Sequence, residues 1–234
     1  MFLEVKAIDT FYDIFQAIFQ VSLNLDQGEV VSLLGRNGAG KSTTLKSIVG
    51  LCRPGAGSVR LKGEEICGKK PFQIARRGIG FVPENRWIFS DLTVKENLDL
   101  GLRERERQAI TTAFEKVYGL FPKLKIMENR VAGTLSGGEQ QMLTVGRTLM
   151  GSPECVLLDE PTAGLAPIVA QLLGDQIRKL KDEQYTLLMA EQNALFATDI
   201  SDRAYVIDKG AIVYEGAVND LKQNRDLMRE YLGV

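Results

Sequence analysis

VVSLLGRNGAGKST, residues 30–43, decides the fold. A β-branched apolar run, Val30 to Leu34, stops at Gly35, and a glycine-rich turn leads into KSTTLKSIVGL (41–51), whose apolar residues recur at helical spacing. The pattern is strand, loop, helix. Gly35, Gly40, Lys41 and Ser42 match G-x-x-x-x-G-K-[ST]. In such a loop the glycines let backbone N–H groups curl around phosphates, and the helix presents its positive end. Lys41 is expected to reach the β- and γ-phosphates, and Ser42 to offer its hydroxyl to Mg²⁺. Arg36, Asn37, Gly38, Ala39 and Thr43 belong to the same nucleotide-binding turn.

Outward from this loop, GIGFV (78–82), CVLLD (155–159) and TLLMA (186–190) read as further buried strands. Helical stretches separate them, which predicts a parallel sheet covered by helices. LEVKAID, FQVSLNLDQGE and SVRLKGEEI alternate apolar and polar residues, as half-exposed antiparallel strands do. AYVIDKGAIVYEG (204–216) predicts a hairpin turning at Lys209-Gly210. Residues from about 93 to 127 read as purely helical, with the run RERER (103–107) on a solvated helix face. The fold class expected is α/β. It has a P-loop core with a mostly parallel sheet, an antiparallel β subdomain at the N-terminal side, and an inserted helical subdomain at about 88–150. All of it lies within one domain, 1–234.

Two further segments carry chemistry. In ECVLLDEPT (154–162) an apolar strand ends in Asp159, placed to hold Mg²⁺ through water, and Glu160 follows at once. A carboxylate there can orient or deprotonate an attacking water. TLSGGEQQMLTVGRTLM (134–150) opens a helix with Ser136-x-x-Glu139, the spacing of a capping box. Gly137 and Gly138 also bare that helix end to an anion. LSGGEQQ, lying between the phosphate loop and VLLDEPT, resembles the signature motif of ATP-binding cassette (ABC) ATPases, and the resemblance covers essentially the whole chain. It implies that two such domains pair head to tail, with ATP sandwiched and hydrolysed between them. Leu135, Ser136, Gly137, Gly138 and Glu139 would then face ATP bound in the partner's loop. By the same resemblance Tyr12 stacks on adenine, although an aromatic there could equally belong to the core.

Three positions depart from the usual pattern of that family. An apolar run, Leu187 to Ala190, delivers Glu191, Gln192 and Asn193, so Gln192 stands where the switch histidine usually does. Its amide can donate a hydrogen bond to γ-phosphate, or it caps the helix that follows; it cannot become a cation. The loop that usually offers glutamine to the metal reads FVPENR, with Glu84 there instead, and Ala166 replaces the usual aspartate after DEPT. Together these departures resemble the shorter ATPase subunit of high-affinity branched-chain amino-acid importers. Importers of amides, urea or aromatic acids share much of that wording. Trp87, Ile88 and Phe89 form an aromatic and apolar cluster on a loop. They either dock a permease or fill the joint between core and helical lobe.

The chain has 234 residues, 44% hydrophobic and 25% charged, with 29 Lys+Arg against 30 Asp+Glu. That balance advertises no nucleic-acid surface. Three cysteines without C-x-x-C spacing read as reduced thiols. The longest uncharged run, Pro161 to Gly174, falls short of the roughly 18 residues of a membrane span. The expectation is therefore a peripheral subunit on the cytoplasmic face of the inner membrane, hydrolysing MgATP for integral-membrane permeases. Its further partners would be a second ATPase subunit, in a homo- or heterodimer, and indirectly a solute-binding protein. The competing reading is a soluble cassette ATPase without a permease; the two cassettes, coiled-coil inserts or basic segments usual in such proteins are not evident in the sequence. A P-loop kinase would leave the signature helix unexplained.

Overall fold

A six-stranded sheet with both faces covered forms the centre of the computed structural model, which describes residues 1–103 and 106–233. The chain opens with a hairpin of β1 (Leu3–Tyr12) and β2 (Phe15–Leu25), and β3 (Val30–Leu34) then feeds the glycine-rich loop and α1 (Lys41–Ile48). Next come β4 (Ala56–Leu61), β5 (Glu64–Glu65), α2 (Pro71–Ala75) and β6 (Ile79–Val82). Four helices follow: α3 (Val94–Asp99), α4 (Arg107–Leu120), α5 (Pro122–Ile126) and α6 (Gly137–Leu149). The core closes with β7 (Cys155–Asp159), α7 (Pro167–Asp182), β8 (Thr186–Glu191), α8 (Ala194–Thr198), β9 (Arg203–Asp208) and β10 (Ala211–Ala217).

The large sheet has the order β10-β9-β3-β8-β7-β6, parallel except for β10 at its edge. The smaller antiparallel sheet runs β2-β1-β4-β5. Alternate residues of the central strands divide between two cores. Leu34, Leu158, Met189 and Val206 face the helices α6 to α8, whereas Leu33, Leu157, Leu188 and Ile207 face α1 and the small sheet. Both faces are therefore buried, which is why these strands read as unbroken apolar runs rather than alternating ones. Each such leucine or valine contributes roughly 1.5–3 kcal/mol by leaving water. Arg203 of β9 ties the two sheets, donating to the Asn24 carbonyl at 2.8 Å and pairing with Glu29 at 2.6 Å.

Two expectations need correction. The segment 93–127 is not one helical stretch. The first piece ends at Asp99, and Gly101 just beyond it passes so close to α6 that a Cβ there would lie 2.1 Å from the Arg147 carbonyl oxygen. Pro122 breaks the next, since the residue before a proline is driven out of helical conformation; Phe121 holds φ −125° and ψ 72°. Of the RERER run, the described residues Arg103 and Glu106 precede the helix rather than line its face. Arg103 lies outside any helix, burial lowers its pKa, and α4 begins only at Arg107. Glu104 and Arg105 lie outside the described residues. The C-terminal hairpin does form, but it extends the large sheet: β9 runs parallel to β3.

Candidate nucleotide site

Register places four loops at one edge of the large sheet. Leu34 is level with Glu191, Ala190 with Asp159, and Leu158 with Val82. The phosphate loop, Gln192, Glu160 and Glu84 therefore all follow the carboxyl ends of adjacent strands, where open parallel sheets bind ligands.

The phosphate loop is held by close approach. Gly40 has φ +112°, and a Cβ there would come within 2.8 Å of Ile18. Gly40 gives α1 no side-chain cap, so the amides of its first turn stay available to an anion. Lys41 is 3% exposed. Its ammonium donates to the carbonyls of Gly35 (2.8 Å) and Arg36 (3.0 Å) and stands 3.0 Å from Glu160 Oε1. Three partners thus serve its three protons. A cleft of about 350 Å³ opens beside it, lined by Gly38, Gly40, Lys41, Ser42, Thr43 and Glu160. Phe19 and Lys209 form part of its wall. Sequence reasoning missed both, having read Lys209 only as a turn residue. Ala39 is buried and Asn37 exposed; the Arg36 side chain turns away from the loop and donates to the Glu230 carbonyl at 2.9 Å. Tyr12 is 45% exposed and not part of the core, with its hydroxyl 3.4 Å from Thr43 Oγ1.

Ser42 Oγ donates to Asp159 Oδ1 at 2.7 Å. Asp159 is 1% exposed, and burial pushes its carboxyl above the usual range, against the Ser42 hydrogen bond; the nearby charges of Glu160 and Glu84 push the same way. Excess negative charge of this kind suits a cation. No group of three His, Cys, Asp or Glu side chains among the described residues could hold a metal. Mg²⁺ needs no such cage, since it keeps waters and takes phosphate oxygens with one or two protein ligands. The Ser42–Asp159 pair fits that role. Glu84 is exposed on the same side, and no ion pair joins it to Arg86 among the described residues.

At the end of β8 the polar trio divides its work. Asn193 caps α8, accepting the Phe196 amide at 3.1 Å, so the capping alternative for Gln192 falls away. Gln192 is exposed beyond the strand. Glu191 is 2% exposed, and burial raises its pKa while hydrogen bonds from Thr162 and Asn193 oppose the rise. Nothing in the local sequence pattern distinguished Glu191 from its neighbours.

The signature helix α6 carries the full capping box. Ser136 Oγ accepts the Glu139 amide at 3.4 Å, and Glu139 accepts from the Ser136 amide at 2.8 Å and its hydroxyl at 2.9 Å. Leu135 is buried and Gly138 packs on Val169, where a Cβ would clash at 2.3 Å. Gly137 lies under the Arg86 guanidinium, where a Cβ would sit 2.9 Å from Nη1 and push that flexible side chain aside. In the neighbouring loop Ile88 packs against the core, whereas Trp87 and Phe89 are 53% and 51% exposed. These two rings line an apolar groove of about 580 Å³ with Leu51, Phe72, Phe81 and Leu100. Asn97, fully buried, clamps the Phe89 amide and carbonyl at 2.9 Å each, and Arg147 lies over the Phe89 ring at 5.1 Å.

The model of the family described as ABC transporter matches residues 18–163. Over 231 residues the chain is 43% identical to the high-affinity branched-chain amino acid transport ATP-binding protein BraG of Pseudomonas aeruginosa, spanning 99% of each chain. It is 36% identical over 218 residues to the probable branched-chain amino acid transport ATP-binding protein LivF of Archaeoglobus fulgidus, spanning 93% of this chain and 92% of that one. A solved nucleotide-free ATP-binding cassette from an ABC transporter superposes with TM-score 0.85 at 27% identity, over 97% of both chains.

Proposed function

The chain belongs to the ATP-binding cassette transporter family and is an ATPase, and from that premise we propose that it energises an importer of branched-chain amino acids. The observation that carries this reading is the 43% identity to BraG along 99% of both chains. No helix among the described residues is long and apolar enough to cross a membrane, and in this reading the crossing belongs to partner permeases. The groove lined by Trp87 and Phe89 is the surface we assign to them, because exposed apolar patches of this kind mark interfaces. The helices between β6 and β7 make up a lobe, about 88–150, that carries both this groove's loop and the signature helix.

Each residue has a task in hydrolysis. The γ-phosphate takes the Lys41 ammonium from Glu160, the amides at the start of α1 hold the phosphate chain, and Tyr12 stacks on adenine. Glu160, freed of Lys41, accepts a proton from the attacking water. Ser42 and Asp159, with Glu84 beside them, would hold Mg²⁺, which neutralises charge developing on the phosphates. Gln192 donates to the γ-phosphate from the third loop, and Leu135 to Glu139 of a second subunit complete the site. That second subunit is a copy of this chain or a companion ATPase, and a solute-binding protein delivers the cargo to the outer face.

Reconstitution tests the whole reading. Proteoliposomes carrying this chain, its permeases and MgATP inside should accumulate leucine supplied with the binding protein, and the Glu160→Gln variant should abolish uptake. Uptake of urea or an amide in place of leucine would reassign the cargo. Failure of the chain to co-purify with any integral-membrane protein would favour the soluble-ATPase reading.

A further inference from the structure

We propose that Glu191 is a positioning residue for hydrolysis, bracketing the turn that carries Glu160 to the loop that carries Gln192. The inference rests on the reading of Glu160 as the base. Glu191 Oε1 accepts from Thr162 twice, from the amide at 3.1 Å and the hydroxyl at 2.6 Å, and Oε2 accepts from the Asn193 amide at 3.2 Å. One residue earlier on β8, the Ala190 carbonyl accepts the Glu160 amide at 2.9 Å. The turn after Glu160 closes on itself through the Ala163 amide and Glu160 carbonyl at 3.1 Å. Two successive residues of one strand therefore pin the short turn at both ends.

The turn needs pinning. Glu160 holds φ +44°, a left-handed conformation that costs a residue with a side chain backbone strain. Released from Thr162, the backbone would relax and re-aim the carboxylate, and misplacement of a reacting group by an ångström can cost a hundredfold or so. The fold itself offers no other reason for a carboxylate at this place. Asn193 caps α8 with its own side chain, and a buried carboxylate without bonded partners costs several kcal/mol. Glu191 spends its carboxylate on a partner 29 residues away, in the loop between the base and the stretch Ala163-Gly164-Leu165-Ala166. Because Gln192 follows directly, the base and the γ-phosphate donor move as one body.

The test uses the full chain in its ATPase-competent assembly, reading turnover, equilibrium ATP affinity without turnover, and thermal stability. Glu191→Gln keeps the shape but places an NH₂ against the Asn193 amide, and Thr162→Val removes the shortest bond. Each should lower kcat about tenfold, the effect of a hydrogen bond to a charged group, with ATP affinity unchanged. Thr162→Ser, which keeps the hydroxyl, should retain wild-type turnover. The proposal is overturned if turnover per folded molecule stays at the wild-type level, if affinity falls in step with kcat, or if Thr162→Ser loses as much turnover as Thr162→Val. Should Glu191→Gln fail to fold, the Thr162 pair decides alone. Glu160→Gln is assayed alongside. Near-normal turnover in that variant removes the base and this inference together. A dead Glu160→Gln beside fully active Glu191→Gln and Thr162→Val removes the inference only.

Discussion

At the scale of single residues, the proposed γ-phosphate donor is a side chain that does not gain a charge near neutral pH. The chain has no histidine, and Gln192 stands exposed at the end of β8 with the helix cap supplied by its neighbour. An imidazole here would titrate near ~6.5, gaining or losing a phosphate contact around neutral pH. An amide has no such transition, so the acid limb of the ATPase profile should contain no step that Gln192→Ala removes. That variant should lower turnover by about 1–3 kcal/mol, the range for leaving a charged group one donor short. Its melting temperature should stay at the wild-type value, because Gln192 makes no cap. Gln192→His should remain active and acquire an inflection on the acid side. A fall in stability with unchanged turnover would return Gln192 to a structural role.

At the scale of elements, the two helix ends aimed at phosphate differ in the free chain. The start of α1 has no side-chain cap, whereas α6 closes the amides of Ser136 and Glu139 in a capping box. The Ser136 amide holds the Glu139 carboxyl below its ordinary range, with the Ser136 hydroxyl adding to the effect. A depressed pKa stabilises the fold above the unfolded-state value, near ~4.3 for glutamate, and that contribution disappears as pH falls through the folded value. Glu139→Ala should therefore cost about 1 kcal/mol near neutrality, seen as a fall of roughly 2–4 °C in melting temperature. The gap to wild type should narrow as the pH drops below 4.3 or so. Glu139→Gln, which can still complete a capping box, should lose less. Equal losses at neutral and acid pH would mean that the charge of Glu139 contributes nothing to the cap.

For the whole molecule, the proposed head-to-tail pairing puts the phosphate loop and signature helix of one chain in two different composite sites. Hydrolysis at low concentration should rise more steeply than protein concentration, since each site needs two chains. Lys41→Ala removes the phosphate-loop cation, and Ser136→Arg blocks the signature end; each alone should be inactive. Ser136→Arg should still bind ATP in its own loop. Mixing the two should restore partial activity, because one hybrid site then combines an intact loop with an intact signature. An inactive mixture of two folded variants that still pair would show that the signature helix does not complete the partner's site.

Much of this was legible in the sequence. The glycine spacing of 35–42, the apolar strand ending in Asp159 and Glu160, and the Ser-x-x-Glu box each depend on residues close in the chain, whose local geometry their own types dictate. The strands were legible for the same reason, since burial on both faces demands unbroken apolar runs. Tertiary structure decided the rest. It separated Ile88, turned into the core, from Trp87 and Phe89, left outside. It broke the helical stretch where Gly101 meets the backbone of α6, and set β9 beside β3. Above all, it joined Glu191 to Thr162. Nothing in the types of two residues 29 apart specifies such a contact; it exists because parallel pairing of β7 and β8 brings their carboxyl ends level, and a buried carboxylate there must find donors.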